Sequence, residues 1–217
     1  MKVGKIIKKI CFQPDTETFL KKILNQDKLS ILDVGSGVSS YFENLGKKLN
    51  ITQIDIFAQP QNKLISNCKY QFILGDIRNL SAEALLNLNQ GVPFDVVTMI
   101  HVIEHLEKDE GIKVLQKLES ITSQFIFVET PNGYTEQGED YGNPFQKHLS
   151  GWEAFDFTAL GFKVYGTTGT KFLKGYGSGP KFKIKGISSA DLILSWILQI
   201  KKNHKFAYNL VAIKKVI

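Results

Sequence analysis

Apolar residues along this chain follow two rhythms. Leu29–Val34, Ile51–Ile56, Tyr70–Leu74, Phe94–Ile100 and Phe125–Glu129 are short runs of strand length, rich in β-branched and aromatic residues. Between them lie Val38–Leu49, a weaker stretch near Gln59–Asn67, Ser81–Asn89 and Leu106–Ser120, the last with Leu106, Ile112, Leu115 and Leu118 as its apolar positions. Strands separated by helices predict βαβ units, hence an α/β fold with a mostly parallel sheet covered on both faces. After Glu129 the rhythm changes. A Gly-, Asn- and Pro-rich loop over Pro131–Phe145 precedes a helix over Trp152–Leu160 and a strand over Phe162–Thr167. A glycine-rich loop over Gly169–Pro180, a helix over Ile187–Lys201 and a last strand over Ala207–Lys214 complete the pattern. The expected organisation is an N-terminal helical segment over 1–27 and one domain over 28–217, with a loop at 130–150 and a helical insertion at 169–205.

Within this pattern Met1–Phe12 has Val3, Ile6, Ile7 and Ile10 on one helical face, with lysines mostly between them. It lacks the apolar core of a signal peptide and reads as an outer helix, a membrane-surface contact or a frayed tail. Charge is uneven. The 217 residues carry 27 Lys+Arg and 21 Asp+Glu, a net +6. Residues 171–217 hold ten lysines and one acid, while 10–170 have an acidic surplus. An acidic body with basic ends weakens the reading of the whole molecule as a nucleic-acid binder. Apolar residues are 43% of the chain, which disfavours disordered and fibrous classes. Its two cysteines, Cys11 and Cys68, form neither a disulfide framework nor a metal-ligand spacing, so a reducing, cytoplasmic setting is expected.

The chemistry concentrates at the first strand–loop–helix junction, Ile31-Leu-Asp33-Val-Gly35-Ser36-Gly37-Val38. Glycine serves where backbone turns sharply and approaches a ligand, and the next helix's N–H groups favour an anionic group. Asp55 ends the second strand, where a carboxylate can take both ribose hydroxyls, and Asp76 follows the third. A nicotinamide site would want a third glycine where Ser40 stands, and the Asp33 carboxylate would repel a pyrophosphate. Asp33 suits an α-amino group and Asp76 an adenine amino group, so the site reads as one for an amino acid joined to an adenosine.

Asp33-Val-Gly-Ser-Gly, Asp55, Gly75-Asp76-Ile77 and Phe94-Asp-Val-Val, followed by His101-Val-Ile-Glu104-His105-Leu, resemble the class I S-adenosylmethionine-dependent methyltransferases in order and spacing. The resemblance covers about 28–167 and is completed by the final strand. It implies a Rossmann-like seven-stranded sheet with an antiparallel last strand. It further implies Gly35, Ser36 and Gly37 at the methionine part, Asp33 at its amino group, Asp55 and Ile56 at the ribose, and Asp76 with Ile77 at the adenine, near His101. Ser39 replaces the family's third glycine.

His101-x-x-Glu104-His105 also matches an inverted zinc-peptidase signature, but it follows a strand of a cofactor domain rather than lying on a long helix. Small-RNA 2′-O-methyltransferases and ubiquinone-pathway O-methyltransferases are similar here, with Glu-x-x-Glu-His holding a divalent metal. In this chain His101 takes the place of the first Glu, and His148 follows Thr130-Pro131-Asn132 as in the RNA enzymes. Many other methyltransferases carry Ile-Glu-His-Leu with no metal. His101, Glu104, His105 and His148 are the candidate catalytic set. A general-base or substrate-contact role is favoured over a divalent metal, and the metal ligands stay unassigned.

Asn132, Tyr134, Tyr141, Asn143, Phe145, His148 and Trp152 suit a sugar or another polar ring. Gly142–Gly166 resembles bacterial methyltransferases of glycan biosynthesis. The expected function is O-methylation of a polar, glycan or lipid-linked acceptor. RNA 2′-O-methylation and non-catalytic S-adenosylmethionine binding are the alternatives. Ile187–Lys201 has a narrow polar stripe of Ser188, Asp191, Ser195 and Gln199 and an apolar remainder too wide for one sheet face. That excess belongs in its own core, in a homodimer or at a membrane, where flanking lysines allow a peripheral contact.

Overall fold

Seven strands form one sheet and, counted along the chain, lie side by side in the order 3-2-1-4-5-7-6. The computed structural model describes residues 15–37, 41–42, 45–57, 68–139, 142–174, 181 and 187–216. The amphipathic pattern of Met1–Phe12, the helix start at Val38 with Ser39 and Ser40, the stretch Gln59–Asn67, Tyr141, Lys183 and Lys185 lie outside the described residues.

Helix α1 (Thr16–Ile23) starts at Asp15, whose carboxylate accepts from the Thr18 N–H at 2.8 Å, and it buries Phe19, Leu20 and Ile23. Strands β1 (Ser30–Val34), β2 (Asn50–Asp55) and β3 (Lys69–Leu74) follow, then α2 (Ala82–Asn87) and β4 (Phe94–Ile100). Helix α3 (Lys108–Ser120) places Gly111, Val114, Leu115 and Leu118 on its buried side, the i, i+3, i+4, i+7 spacing of one helical face. Strand β5 (Thr122–Pro131), α4 (Ala154–Ala159), β6 (Lys163–Thr170), α5 (Ile187–Ile197) and β7 (Ala207–Lys215) complete the chain. Strands β1 to β5 are parallel, and β7 runs antiparallel to both β5 and β6.

Neighbouring strand residues point to opposite faces, and the core divides accordingly. Leu32, Val97 and Ile126 join Leu115, Trp152 and Phe157 on one face, while Ile31, Val96 and Phe127 join Phe19, Leu20 and Val211 on the other. Burial on both faces explains why the central strands read as continuous apolar runs. Strand β3 is one edge, β6 being the other, and leaves Phe72 and Leu74 exposed.

Helices α4 and α5 are shorter than their sequence pattern for identifiable reasons. The α4 pattern includes Trp152, yet Glu153 and Asp156 form a capping box that starts the helix after it. Trp152 instead bridges to Asn132 and Gly133. Helix α5 ends at Ile197 rather than Lys201, because Gln199 takes a left-handed φ of 48° and the Ile200 N–H closes on the Ser195 carbonyl at 3.1 Å. Among the described residues no helix is long and apolar enough to cross a membrane.

Candidate functional site

The carboxyl ends of β1, β2, β3 and β4 open onto a crevice of about 280 Å³, near the lower end of small-ligand sites at roughly 300–1,000 Å³. In open parallel sheets this is the edge where ligands bind. Gly35, Gly37, Asp55, Ile56, Asp76 and Ile77 line it, together with His101 and His105.

Gly35 has φ 67° and donates its N–H to the Ile54 carbonyl at 2.7 Å. A side chain here would meet the Val102 Cγ2 at 2.2 Å, so only glycine lets β1 turn beneath the segment after β4. The Asp55 carboxylate accepts from the Gly37 and Phe57 N–H groups, each at 2.9 Å, which orients it at the tip of β2. Asp76 is held by Arg78, whose Nη2 lies 2.8 Å from Oδ2. Burial opposes the Asp76 charge, but the hydrogen bonds and charge of Arg78 hold the carboxyl below its usual range.

Asp33 and Ser36 lie apart from that lining. Asp33 is buried in the sheet, its carboxylate accepting from Thr98 Oγ1 at 2.7 Å and Gln53 Nε2 at 3.5 Å. Burial pushes it up to about 6, against the two hydrogen bonds. The Ser36 hydroxyl is buried and has no partner among the described residues.

Beyond β4 the chain kinks. His101 takes a φ of 54°, strained for a residue with a side chain, and its N–H bonds the Glu129 carbonyl at 2.8 Å. Its Nδ1 donates to Glu104 Oε1 at 3.2 Å, and its Nε2 stands 3.4 Å from the Asn209 amide nitrogen. Burial works against the imidazolium, yet the Glu104 hydrogen bond and the charges of Glu104 and Glu129 push His101 up to about 9. Glu104 is buried, and its other oxygen accepts from Thr130 Oγ1 at 3.0 Å. Its carboxyl lies below the usual range: burial raises it, but the bond and charge of His101 prevail.

His148 reaches this place because the returning loop is tied down. The Leu149 and Ser150 N–H groups both donate to the Glu104 carbonyl, at 2.8 and 3.1 Å. The Trp152 indole N–H donates to Ser150 Oγ at 2.9 Å, and Lys108 Nζ lies 4.0 Å from the Trp152 ring centre. One ligand atom each of Glu104, His105 and His148 therefore lies within 4.8 Å of the others. His105 Nδ1 faces the Lys147 carbonyl at 3.1 Å, and His148 Nδ1 faces the Thr135 carbonyl. A carbonyl only accepts, so each Nδ1 carries a proton and each neutral ring keeps Nε2 as its basic nitrogen. Burial lowers the His148 pKa, which favours that neutral form.

The four candidate catalytic residues thus divide into a close trio and His101, which supports Glu104 from beside it. The sequence reading passed over Arg78, Glu129 and Asn209. Each lies far in sequence from a recognised motif or acts only through a neighbour, so no local pattern marks it.

A family model described as "Methyltransferase domain" matches residues 8–164. A small RNA 2′-O-methyltransferase of Tetrahymena thermophila is 27% identical over 173 residues, which cover 69% of this chain and 40% of that protein. The crystal structure of a small RNA methyltransferase superposes with a TM-score of 0.55 at 18% identity, covering 91% of this chain and 24% of that one. The N-methyltransferase NodS of Bradyrhizobium japonicum, in complex with S-adenosyl-L-homocysteine, gives 0.53 at 14% identity, covering 92% of this chain and 85% of that one. This chain spans less than half the length of either RNA enzyme. The structural matches show a shared fold.

Proposed function

The chain belongs to the methyltransferase-domain family, and from that premise we propose that it transfers the methyl group of S-adenosylmethionine to a hydroxyl of a polyhydroxylated acceptor, a glycan or lipid-linked sugar. The observation that carries this reading is the Glu104–His105–His148 trio opening beside a crevice that His105 itself lines.

The crevice residues fit the cofactor. The Asp55 carboxylate at the β2 tip suits the two ribose hydroxyls, and Ile56, Ile77 and Leu106 offer apolar lining for a purine. Asp76 serves the adenine amino group. Gly35 and Gly37 bring bare backbone to the methionine part, and among the described residues nothing but the adjoining residues comes within 4 Å of where a Gly37 Cβ would stand. The buried Ser36 hydroxyl has bonding capacity left for a ligand or a water. Asp33 stands two residues before Gly35 but bonds Thr98 and Gln53 within the sheet, outside the crevice lining.

When bound, the sulfonium supplies an electrophilic methyl, so the acceptor oxygen–carbon bond forms as the sulfur–carbon bond breaks. The trio receives the hydroxyl, aligns it and offers a basic nitrogen for its proton, while the crevice holds the two reactants in line. His101 keeps Glu104 ionised and oriented. One carboxylate and two imidazoles also fit a borderline divalent ion such as Mn²⁺, Fe²⁺ or Zn²⁺ better than Mg²⁺. Such an ion would acidify and orient the hydroxyl, although the displacement does not require one.

A second reading, 2′-O-methylation of RNA, is favoured by the Tetrahymena relative, and a ribose is itself a polyhydroxylated ring. Incubation with methyl-labelled S-adenosylmethionine and, in parallel, a cell-envelope glycan fraction and short RNAs separates them. Label in acid-stable methyl ethers of sugars supports the first reading. Label in RNA, lost as salt rises, replaces it with the second. Absence of S-adenosylhomocysteine binding in calorimetry would overturn both.

A further inference from the structure

Helix α5 is packed inside out. The middle of its polar stripe faces the protein: Asp191 and Ser195 are buried, whereas Ser188 and Gln199 at its ends are exposed, and Asp191 Oδ1 accepts from the Thr170 N–H at 2.8 Å and Thr170 Oγ1 at 2.9 Å. Three of its apolar residues are exposed, Ile193 at 39%, Trp196 at 55% and Ile197 at 61%, while Leu192, Leu194 and Leu198 are half-buried. Phe172, 50% exposed, lies two residues after Thr170, the anchor of Asp191. A soluble surface helix normally shows the reverse arrangement, so this face calls for an occupant.

Charge identifies the occupant. Residues 171–217 contain ten lysines and a single acid, Asp191, which is turned inward. Lys171 precedes Phe172, and Lys202 and Lys205 follow α5, while Lys201 turns toward Phe19, its Nζ 5.8 Å from that ring centre. Lys205 Nζ lies 6.0 Å from the Phe206 ring, which sits 5.8 Å from Phe172, so cation and apolar residue share one surface. A second copy would place this patch against itself across a two-fold axis, lysines facing lysines. A nucleic acid would use the lysines, but Ile193 and Ile197 offer it neither stacking nor hydrogen bonds.

We propose that Phe172, Ile193, Trp196 and Ile197, with the lysines beside them, dock the protein on an anionic lipid surface. The 11-residue helix is about 16 Å long, so it lies in the interface rather than spanning it. Trp196 sits at headgroup depth, and the lysine stems lie along the apolar side while their ammonium groups meet lipid phosphates.

Co-sedimentation of the full chain with vesicles tests this. Phosphatidylcholine vesicles containing about one third phosphatidylglycerol should retain the protein, and pure phosphatidylcholine vesicles should not. Trp152 is wholly buried, so a blue shift of tryptophan emission on vesicle addition reports Trp196. W196S/I197S should weaken retention roughly tenfold or more. K202Q/K205Q should weaken it roughly fivefold per lysine, and salt should mimic that loss. Both variants should keep wild-type S-adenosylhomocysteine affinity. Equal retention on both vesicle types, or none on either, overturns the proposal. So does retention unchanged in W196S/I197S, or a concentration-dependent dimer that W196S/I197S abolishes without any vesicle binding. RNA binding unaffected by W196S/I197S, with no vesicle binding, also overturns it.

Discussion

Thr98 stands directly opposite Asp33 in the β1–β4 pairing, and its hydroxyl donates to the Asp33 carboxylate at 2.7 Å inside the sheet. Gln53 is the register partner of Asp33 on the other side, so the acid is flanked by one donor from each neighbouring strand. Two hydrogen bonds do not offset full burial, and the carboxyl titrates at about 6 rather than 3.8.

That shift makes stability pH-dependent. The folded chain holds the Asp33 proton up to about pH 6, whereas the unfolded chain releases it near 3.8. Its favourable contribution is therefore complete below pH 3.8 and is lost as pH rises through 6. At about 1.4 kcal/mol per pKa unit the loss is about 3 kcal/mol. Asp33→Asn keeps an acceptor for Thr98 without the charge. In ligand-free protein its melting temperature should exceed wild type at pH 7.5 and approach it at pH 4. A difference that is constant across that range would contradict the assigned burial.

Gly35 and Val102 make a second testable pair. Gly35→Ala combines a left-handed φ, costing about 1–2 kcal/mol, with a Cβ placed 2.2 Å from Val102 Cγ2. Overpacking adds about 1–3 kcal/mol, and the β1 turn should shift out of the crevice. Denaturant unfolding should show a combined loss of about 2–5 kcal/mol and calorimetry a large loss of S-adenosylhomocysteine affinity. Adding Val102→Ala removes the clashing methyls but not the strain, so the double variant should recover only part of the stability. Strict additivity of the two changes would show that the contact is not the cause.

The fold was legible because strand and helix periods differ and because Gly35, Asp55 and Asp76 each fall at the end of a strand-length run. Packing decided the rest. In sequence, Asp33 looks like another strand-end ligand acid, since nothing local shows that Thr98 and Gln53 enclose it. The trio needs Thr130, Trp152 and the Ser150 turn to bring His148 back to Glu104, contacts separated by up to 47 residues. For α5, periodicity revealed a narrow polar stripe but not its direction. The inward turn is set by Thr170, which supplies Asp191 with two donors.

Gly111 sets two opposed effects against each other. Replacing a helical glycine with alanine favours the helix by about 1 kcal/mol. Here the new Cβ would lie 2.6 Å from Trp152 Cζ2 and 3.2 Å from Ile103 Cγ1, both buried side chains with little room to move. Overpacking of about 1–3 kcal/mol outweighs the gain. Gly111→Ala should lower the unfolding free energy by up to about 2 kcal/mol in denaturant titration. It should also reduce turnover, since Ile103 adjoins Glu104 and Trp152 anchors the loop that carries His148. A stabilised variant would mean that Trp152 is free to shift.

His105 and His148 have ring centres 4.9 Å apart, yet only His105 lines the cofactor crevice. Their variants should therefore separate binding from chemistry. His148→Gln removes a basic nitrogen from the acceptor side and leaves the crevice lining unchanged. Its kcat should fall roughly 100-fold or more, with S-adenosylhomocysteine affinity within about twofold of wild type. His105→Gln should lower both, because the same ring lies against the crevice and belongs to the trio. Equal losses of affinity in the two variants would show that His148 acts through the fold rather than at the acceptor. Chelation completes the comparison. If the trio handles the proton unaided, wild-type turnover survives a chelator. If it holds an ion, turnover disappears and Mn²⁺ or Zn²⁺ restores it better than Mg²⁺, while His148→Gln stays slow under every ion because one of three donors is missing.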